Sequence, residues 1–433
     1  MKDLIYEFLE AINKYKDTIL FVNKDREISY NDFYNDASRV LKHINGYKVL
    51  IKCQDKYNYI LAFTASLFNH SMPFLSNYES HVFDNYKFDL IIDDDFINEA
   101  LKDNDYKLYE YSEFDMNEPM IVLLSSGTTA TPKPVVLTHK CFMTNHHSAT
   151  KASCLTPDYT YVSILPLDHI FGFKTDFIFP VLNKGKVVFA YSLVEYFLFI
   201  QKYNPDKLNM TVSLFKNLDE LLKIRTKEKL CPNLKEAFVA GSKCPKELVL
   251  EYKNKYNIEI HNSYGLTECS ALVSINNGKH FKLGSDGYII DCHKIRIGDN
   301  DEIIISGDAI MPNYLDLYEK GIYVDEIHTK DIGYIEDGYL YVIGRIDNLI
   351  VLENGFKIQP EPFEEKIKLN YDISDCVLYL KNNTLNLDIV GDKTQADLIK
   401  KDYPDMYLNI NLVNEIKRNQ TGKILRSYYK EVK

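Results

Sequence analysis

The chain is 433 residues long, 45% apolar and 26% charged, with a formal net charge of −11. That length exceeds what one hydrophobic core serves, so two or more domains are expected, and the apolar fraction is that of a folded protein rather than a disordered one. The acidic balance, with no local cluster of Lys and Arg to offset it, would repel a phosphate backbone and argues against nucleic acid as a partner.

The eight cysteines, at 53, 141, 154, 231, 244, 269, 292 and 376, contain no Cys-x-x-Cys pair. Their spacing suggests neither zinc nor a disulfide framework, and reduced thiols in a cytoplasmic protein are expected. No apolar run approaches the roughly 20 residues of a membrane span, and the N-terminus lacks a signal-peptide core.

Leu4, Ile5, Phe8, Leu9 and Ile12 recur at helical spacing, which describes a helix laid against a core. A membrane-surface role is the alternative, countered by Asp3, Glu7 and Glu10 on its polar face. A second helical pattern runs from Asp32 to Ile44, and Val49 to Ile51 and Leu90 to Ile92 are short β-branched runs between polar residues, which predicts an α/β layered domain.

The apolar run Met120 to Leu124 leads into Ser125-Ser126-Gly127-Thr128-Thr129-Ala130-Thr131-Pro132-Lys133-Pro134 and then Val135 to Leu137. This strand, hydroxyl-rich loop and strand offers backbone N–H groups, five hydroxyls and one ammonium to an anion, as phosphate binding requires. Pro132 stands where a Walker sequence has glycine, and a plain polar turn would have the same composition. The pair His146-His147 reads as helix surface, without the further ligands a metal site needs. A second αβ stretch spans Tyr161 to Asn262, with Lys186 to Phe189 and Ala237 to Val239 as buried strands.

In Asn262-Ser263-Tyr264-Gly265-Leu266-Thr267-Glu268 an aromatic face could stack on a base and Glu268 could hold magnesium, although a surface loop with one glutamate reads the same way. After Asn276 the strands become short and closely spaced (Tyr288 to Ile290, Lys294 to Ile297, Glu302 to Ile305, Tyr339 to Ile343), which predicts an antiparallel or barrel-like subdomain. Asp331 and, fourteen residues later, Arg345 at the end of a hairpin pattern could meet the hydroxyls of a ribose and a phosphate, or be turn residues. Gly344 to Asn348 is the candidate hinge into a small α+β segment that ends in Thr421-Gly422-Lys423, where a solvated terminal lysine is the plain alternative.

These five segments, in this order and register, resemble the adenylate-forming superfamily of acyl-CoA synthetases, firefly-type luciferases and peptide-synthetase adenylation domains. Residues 125–133 are similar to the family's Ser-Ser-Gly-Thr-Thr-Gly-x-Pro-Lys, and Tyr264 to Glu268 to its Tyr-Gly-x-Thr-Glu. Asp331 falls on its Thr-Gly-Asp position, Gly344-Arg345 on its Gly-Arg pair and Gly422-Lys423 on its C-terminal Gly-Lys. Leu165 to Gly172, with His169, is similar to its Pro-Leu-x-His-x-x-Gly segment, Val239 to Ser242 to its adenine-side turn, and Glu353 to Glu364 to its post-hinge loop. Ala130 and Pro134 replace glycines around the phosphate loop, and Lys330 replaces the glycine before the ribose aspartate.

The resemblance implies a large N-terminal domain, 1–346, of layered α/β subdomains with a small barrel-like one, and a small mobile α+β domain, 347–433, hinged at Asp347. It implies ATP and Mg2+ as cofactors, a carboxylic acid (fatty or aryl) activated as acyl-AMP, and coenzyme A, or the phosphopantetheine of an acyl carrier protein, as acceptor. Lys423 would bridge the acid and the α-phosphate; Thr128 and Lys133, with Ser125, Ser126, Gly127 and Thr129, would hold the leaving phosphates. Glu268 and Thr128 would hold the metal, and Gly241, Ser242, Asn262, Tyr264, Gly265, Thr267, Asp331, Ile343 and Arg345 the nucleotide. His169 would line or gate the acid pocket, itself expected to be built of ordinary apolar side chains, or be a buried structural histidine, and the loop at Gly355 would face the thiol. Amino-acid adenylation, a luciferase-like oxidation and a degenerate nucleotide-binding protein are the other readings. The first lacks a Phe-Asp anchor for an α-amino group, and the joint presence of Lys423, Glu268, Asp331 and Arg345 weighs against the last.

Overall fold

The computed structural model of the chain describes residues 2–125, 132–153, 157–225, 231–278, 280–352, 356–418 and 423–429. Its mixed α/β architecture is the class expected from the alternating patterns. Side-chain caps start the first helices where the sequence places Asp and Ser. The Asp3 carboxylate accepts from Tyr6 N ahead of Leu4–Tyr15, and Ser29 and Asp32 form a reciprocal capping box ahead of Tyr30–Leu41. Asp55 caps Lys56–Phe68, whose residues from Tyr57 on are all buried, so that helix lies inside the fold.

The described chain divides into two compact units, the first taking in residues up to 294 and 305–327, the second 295–304 and from 328 on. The position expected to be the hinge, Asp347, lies inside the second. Within the first unit one sheet runs in the order Glu259–Leu266, Glu236–Ala240, Lys207–Thr211, Thr160–Ser163, Lys186–Phe189 and Ile19–Asn23, all parallel neighbours. Ala271–Asn276 continues it antiparallel. A second sheet pairs Lys48–Ile51 with Leu90–Ile92 and Met72–Leu75 in parallel, then Met72–Leu75 with Pro119–Leu124, and closes on the antiparallel strand Pro134–Thr138. In a parallel sheet ligands gather at the carboxyl ends of the strands, which here are the ends that lead into Gly241–Ser242 and Tyr264 to Glu268.

The strand Lys207–Thr211 reads Lys-Leu-Asn-Met-Thr, an alternation that suggests one wet face, yet Lys207 through Met210 are all buried. Leu208 and Met210 enter an apolar core with Val162, Ala237, Val239 and Ile260. Lys207 and Asn209 point to the other face, which is buried too and carries Phe238 beside Asn209.

Within the second unit, Glu326–Glu336 and Tyr339–Arg345 form an antiparallel hairpin with Asp331 directly opposite Arg345. Asp375–Lys381, Thr384–Val390 and Asn409–Leu412 form a three-stranded sheet over a core that includes Ile367, Leu387 and Ile399. Arg426, three residues after Lys423, is clamped by the Glu364 carboxylate at 3.0 and 2.8 Å, both side chains buried. Burial raises the Glu364 pKa and the Arg426 charge pulls it back.

One reading of the sequence is corrected: His146, expected at a helix surface, is buried, because His139–Ser153 turns that face inward, and only its neighbour His147 is exposed, against Glu7. Among the described residues the cysteines form no disulfide, and no helix is long and apolar enough to cross a membrane.

Lys174 is buried, its ammonium donating to Asn145 Oδ1 at 2.8 Å and to the Phe142 carbonyl at 3.2 Å. Burial pushes its pKa down to about 7 from the ordinary 10.5. Between those values the unfolded chain binds the extra proton, so the stability contributed at this site rises with pH. Urea unfolding of the wild type and Lys174→Met at about pH 7 and about pH 9.5 is expected to move their difference in the wild type's favour at the higher pH. A pH-independent difference would mean that Lys174 keeps an ordinary pKa in the folded state.

Candidate active site

The hydroxyl-rich segment joins two strands in antiparallel register, Leu124 opposite Pro134. Ser125 N donates to the Lys133 carbonyl at 2.9 Å and Lys133 N donates to Ser125 Oγ at 3.0 Å, so these residues close the base of the loop. Ser126, Gly127, Thr128, Thr129 and Ala130 lie outside the described residues.

Three elements converge beside that base. Tyr314 bridges Val135 in the exit strand, and Val136 N donates to the Asn313 carbonyl at 3.3 Å. The Tyr314 hydroxyl donates to Glu268 Oε1 at 3.0 Å, while Met311 N donates to the Glu268 carbonyl at 2.7 Å. Lys133 Nζ stands 5.0 Å from the centre of the Tyr314 ring. Lys133 and Glu268, 135 positions apart in the chain, are thus held to one tyrosine. Burial first, and then the Glu268 charge, raise the Tyr314 pKa, so the phenol stays protonated and remains a donor.

Glu268 sits in the one-turn helix Thr267–Cys269 at the end of Glu259–Leu266. Asn262 on that strand is buried and donates to the Ser285 carbonyl at 2.9 Å. The parallel register pairs Val239 with Asn262, and continued two residues on it sets Gly241 beside Tyr264. Gly241 and Ser242 are exposed, with Gly241 at φ +93°, a conformation glycine adopts freely. At Gly265 a Cβ would lie 1.8 Å from the Ala271 carbonyl oxygen, next to the irregularity in register between Tyr264 and Gly265. His169 is half-buried at the start of Ile170–Phe173 and makes no capping bond with its side chain.

In the second unit Arg345 donates to Asp331 Oδ1 at 2.7 Å, and Asp331 N donates to Thr329 Oγ1 at 3.0 Å. Lys330, in place of the family's glycine, takes φ +60°, and its ammonium lies 3.3 Å from Asp347 Oδ1. The left-handed conformation that glycine would take there is therefore kept at a cost of about 1 kcal/mol. Gly344 is packed so that a Cβ would meet the Gln359 amide at 2.2 Å. Ile343 is exposed, Lys423 is half-buried, and Gly355 lies outside the described residues.

Sequence reasoning brought out Lys133 and Glu268 but missed Tyr314, which joins them. The only trace of it was a tyrosine following the apolar strand Glu302–Ser306 and a short turn, a pattern with no chemical signature of its own.

The fold is that of solved acyl-adenylate-forming enzymes. It matches O-succinylbenzoate coenzyme A synthetase from Bacillus subtilis, in complex with AMP, at a TM-score of 0.82 and 19% identity over 98% of both chains. It matches anthranilate CoA ligase, in complex with anthranoyl-AMP, at 0.87 and 14% over 99% of this chain and 96% of that one. The family model for AMP-binding enzymes covers residues 79–315, more than half of the sequence, and the chain belongs to that family. Among curated relatives, 2-succinylbenzoate–CoA ligase of Bacillus cytotoxicus is 27% identical over 58% of this chain, and luciferin 4-monooxygenase of Photuris pensylvanica 27% over 60%. The matched part spans 55% and 51% of those proteins, about half of each.

Gly265→Ala tests the turn that presents Tyr264 and Glu268. Because the clash is with backbone rather than with a flexible side chain, the substitution is expected to cost roughly 3 kcal/mol or more, read as a lowered urea midpoint. A loss within about 0.5 kcal/mol would show that the backbone at Gly265 and Ala271 is not held as described.

Proposed function

We propose that this chain uses ATP and Mg2+ to activate a carboxylic acid as an acyl-adenylate, releasing pyrophosphate, and then passes the acyl group to the thiol of coenzyme A. The observation that carries this reading is the convergence of Lys133 and Glu268 on Tyr314 at the base of a hydroxyl-rich loop, in a chain of the AMP-binding enzyme family. The relatives named as 2-succinylbenzoate–CoA ligases make an aryl acid the first class to test, with fatty acids second. Phosphopantetheine on an acyl carrier protein is the alternative acceptor.

The physical problem of the first step is the approach of two anions, the acid's carboxylate and the α-phosphate. Positive charge fixed in place beforehand lowers that barrier without reorganising at the moment of reaction. Lys133, with the hydroxyls and amides of residues 125–129, holds the departing phosphates, and Lys423 lies between carboxylate and α-phosphate. Glu268 offers hard carboxylate oxygens, one already oriented by Tyr314, and with Thr128 this donor set fits magnesium. The metal, when bound, supplies charge neutralisation on the leaving phosphates.

Asn262, Tyr264, Gly265 and Thr267, with the exposed turn Gly241–Ser242, form the adenine side, and Asp331, Ile343 and Arg345 the ribose side. The ion pair of Arg345 with Asp331 shares one carboxylate oxygen with the place a ribose hydroxyl would take, so nucleotide binding rearranges that pair. For the second step the segment beyond Asp347 turns, withdrawing Lys423 and bringing the loop at Gly355 to the thiol. His169 gates the acid pocket between the steps.

Lys423→Ala is expected to bind ATP nearly as the wild type does and to lose acid-dependent ATP–pyrophosphate exchange by on the order of 10²–10³ or more, since the ammonium acts chiefly in the transition state. Exchange at the wild-type rate would remove Lys423 from the mechanism. Asp347→Pro is expected to slow thioester formation far more than exchange, and equal losses in both half-reactions would refute the hinge.

A further inference from the structure

The second buried face of the parallel sheet borders a partly open cavity of about 20 Å³, lined by Ser153, Tyr161, Thr175, Lys207, Asn209 and Phe238, with Phe179. That volume suits one water-sized group. Register places its walls together: Lys207 lies opposite both Tyr161 and Glu236, and Asn209 opposite Phe238. The opposite face of the same strands is the apolar core, so polar residues on this side are a departure from an otherwise greasy interior.

Their hydrogen bonding is incomplete in a specific way. Asn209, 2% exposed, spends its amide hydrogens on the Thr175 carbonyl at 3.1 Å and Asp176 Oδ1 at 2.7 Å. Its own Oδ1 is buried with no hydrogen-bond partner among the described residues. Lys207, 4% exposed, holds its ammonium 3.4 Å from Glu236 Oε2. Two cavity-lining residues therefore carry a cationic donor shared with Glu236 and an orphan acceptor, and a buried orphan acceptor costs roughly 1–3 kcal/mol.

The strands that build this wall continue into the nucleotide side. Phe238 precedes Gly241 by three residues, about 10 Å at the rise of a strand. An acid whose carboxyl sits at the nucleotide end, with a ring or chain spanning that length, would set its far end beside Lys207 and Asn209.

Taking the acid-activating function proposed above as its basis, we infer that the acid carries a hydroxyl at the end remote from its carboxyl, and that Lys207 and Asn209 receive it. A hydroxyl accepts from the ammonium and donates to Asn209 Oδ1 at once. A distal carboxylate has no hydrogen to give and would lie near the carboxyl of Asp176 and that of Glu236. An alkyl or unsubstituted aryl end leaves Asn209 Oδ1 unanswered. A site built to bond a substrate hydroxyl rejects the analogue lacking it, whereas an apolar pocket discriminates weakly.

The test is acid-dependent ATP–pyrophosphate exchange with matched aryl acids that differ only in a hydroxyl para to the carboxyl-bearing group, in the wild type, Lys207→Met and Asn209→Leu. The wild type is expected to favour the hydroxylated member at least tenfold in kcat/KM. Each variant that keeps its wild-type circular dichroism is expected to lose that preference, its ratio of kcat/KM for the two acids falling from tenfold or more toward one. Equal use of the two acids by the wild type, or a preference that survives Lys207→Met, overturns the inference and leaves acid activation standing. Exchange with no acid at all brings down the ligase reading itself, and this inference with it. The wild-type comparison holds whether or not Asn209→Leu folds.

Discussion

The hydrogen bond from the Tyr314 hydroxyl to Glu268, with the Lys133 ammonium standing over the same ring, ties the exit of the hydroxyl-rich loop to the turn that carries the acidic residue. Tyr314 is itself pinned to the exit strand through its bridge to Val135. A lysine and a glutamate left to themselves at such a place would pair and cancel. The phenol between them holds the carboxylate by a neutral donor and the ammonium by its ring face, so each charge stays available to a ligand of the opposite sign. What the rest of the first unit does, with its two sheets and the inner helix Lys56–Phe68, is bring those distant segments to that tyrosine.

The second unit is organised around a different constraint. Arg426 and Glu364 form a buried, two-bond ion pair, and removing either partner would strand a charge at a cost of about 3–5 kcal/mol. Lys423 lies three residues upstream of that clamp, so the segment bearing it is anchored although it stands near the end of the chain. The hairpin of Asp331 and Arg345 is fixed by strand register, and Lys330 is driven into a left-handed conformation that a glycine would have taken without cost.

The hydroxyl-rich loop stood out in the sequence for a physical reason: a phosphate site would need small, hydroxyl-bearing and cationic residues in one loop, and such loops are punctuated by glycine and proline. The short, closely spaced strands after Asn276 and the helical spacing near the N-terminus were legible from the sequence as well. His146 was misread because its helix packs two faces inward, which a single polar pair does not reveal. Tyr314 was missed because a tyrosine after a strand carries no motif. Lys207 and Asn209 were hidden because alternation of polar and apolar residues ordinarily marks a wet sheet face, while here both faces are covered.

The account stands on preorganised positive charge letting a carboxylate approach a triphosphate. The direct measurement is mass spectrometry of the purified protein incubated with ATP, Mg2+ and a mixture of aryl and fatty acids, with coenzyme A withheld. An enzyme-bound acyl-AMP that disappears when coenzyme A is added, with a thioester appearing in equal amount, is the predicted result. Bound ATP with no adenylate from any acid would contradict it.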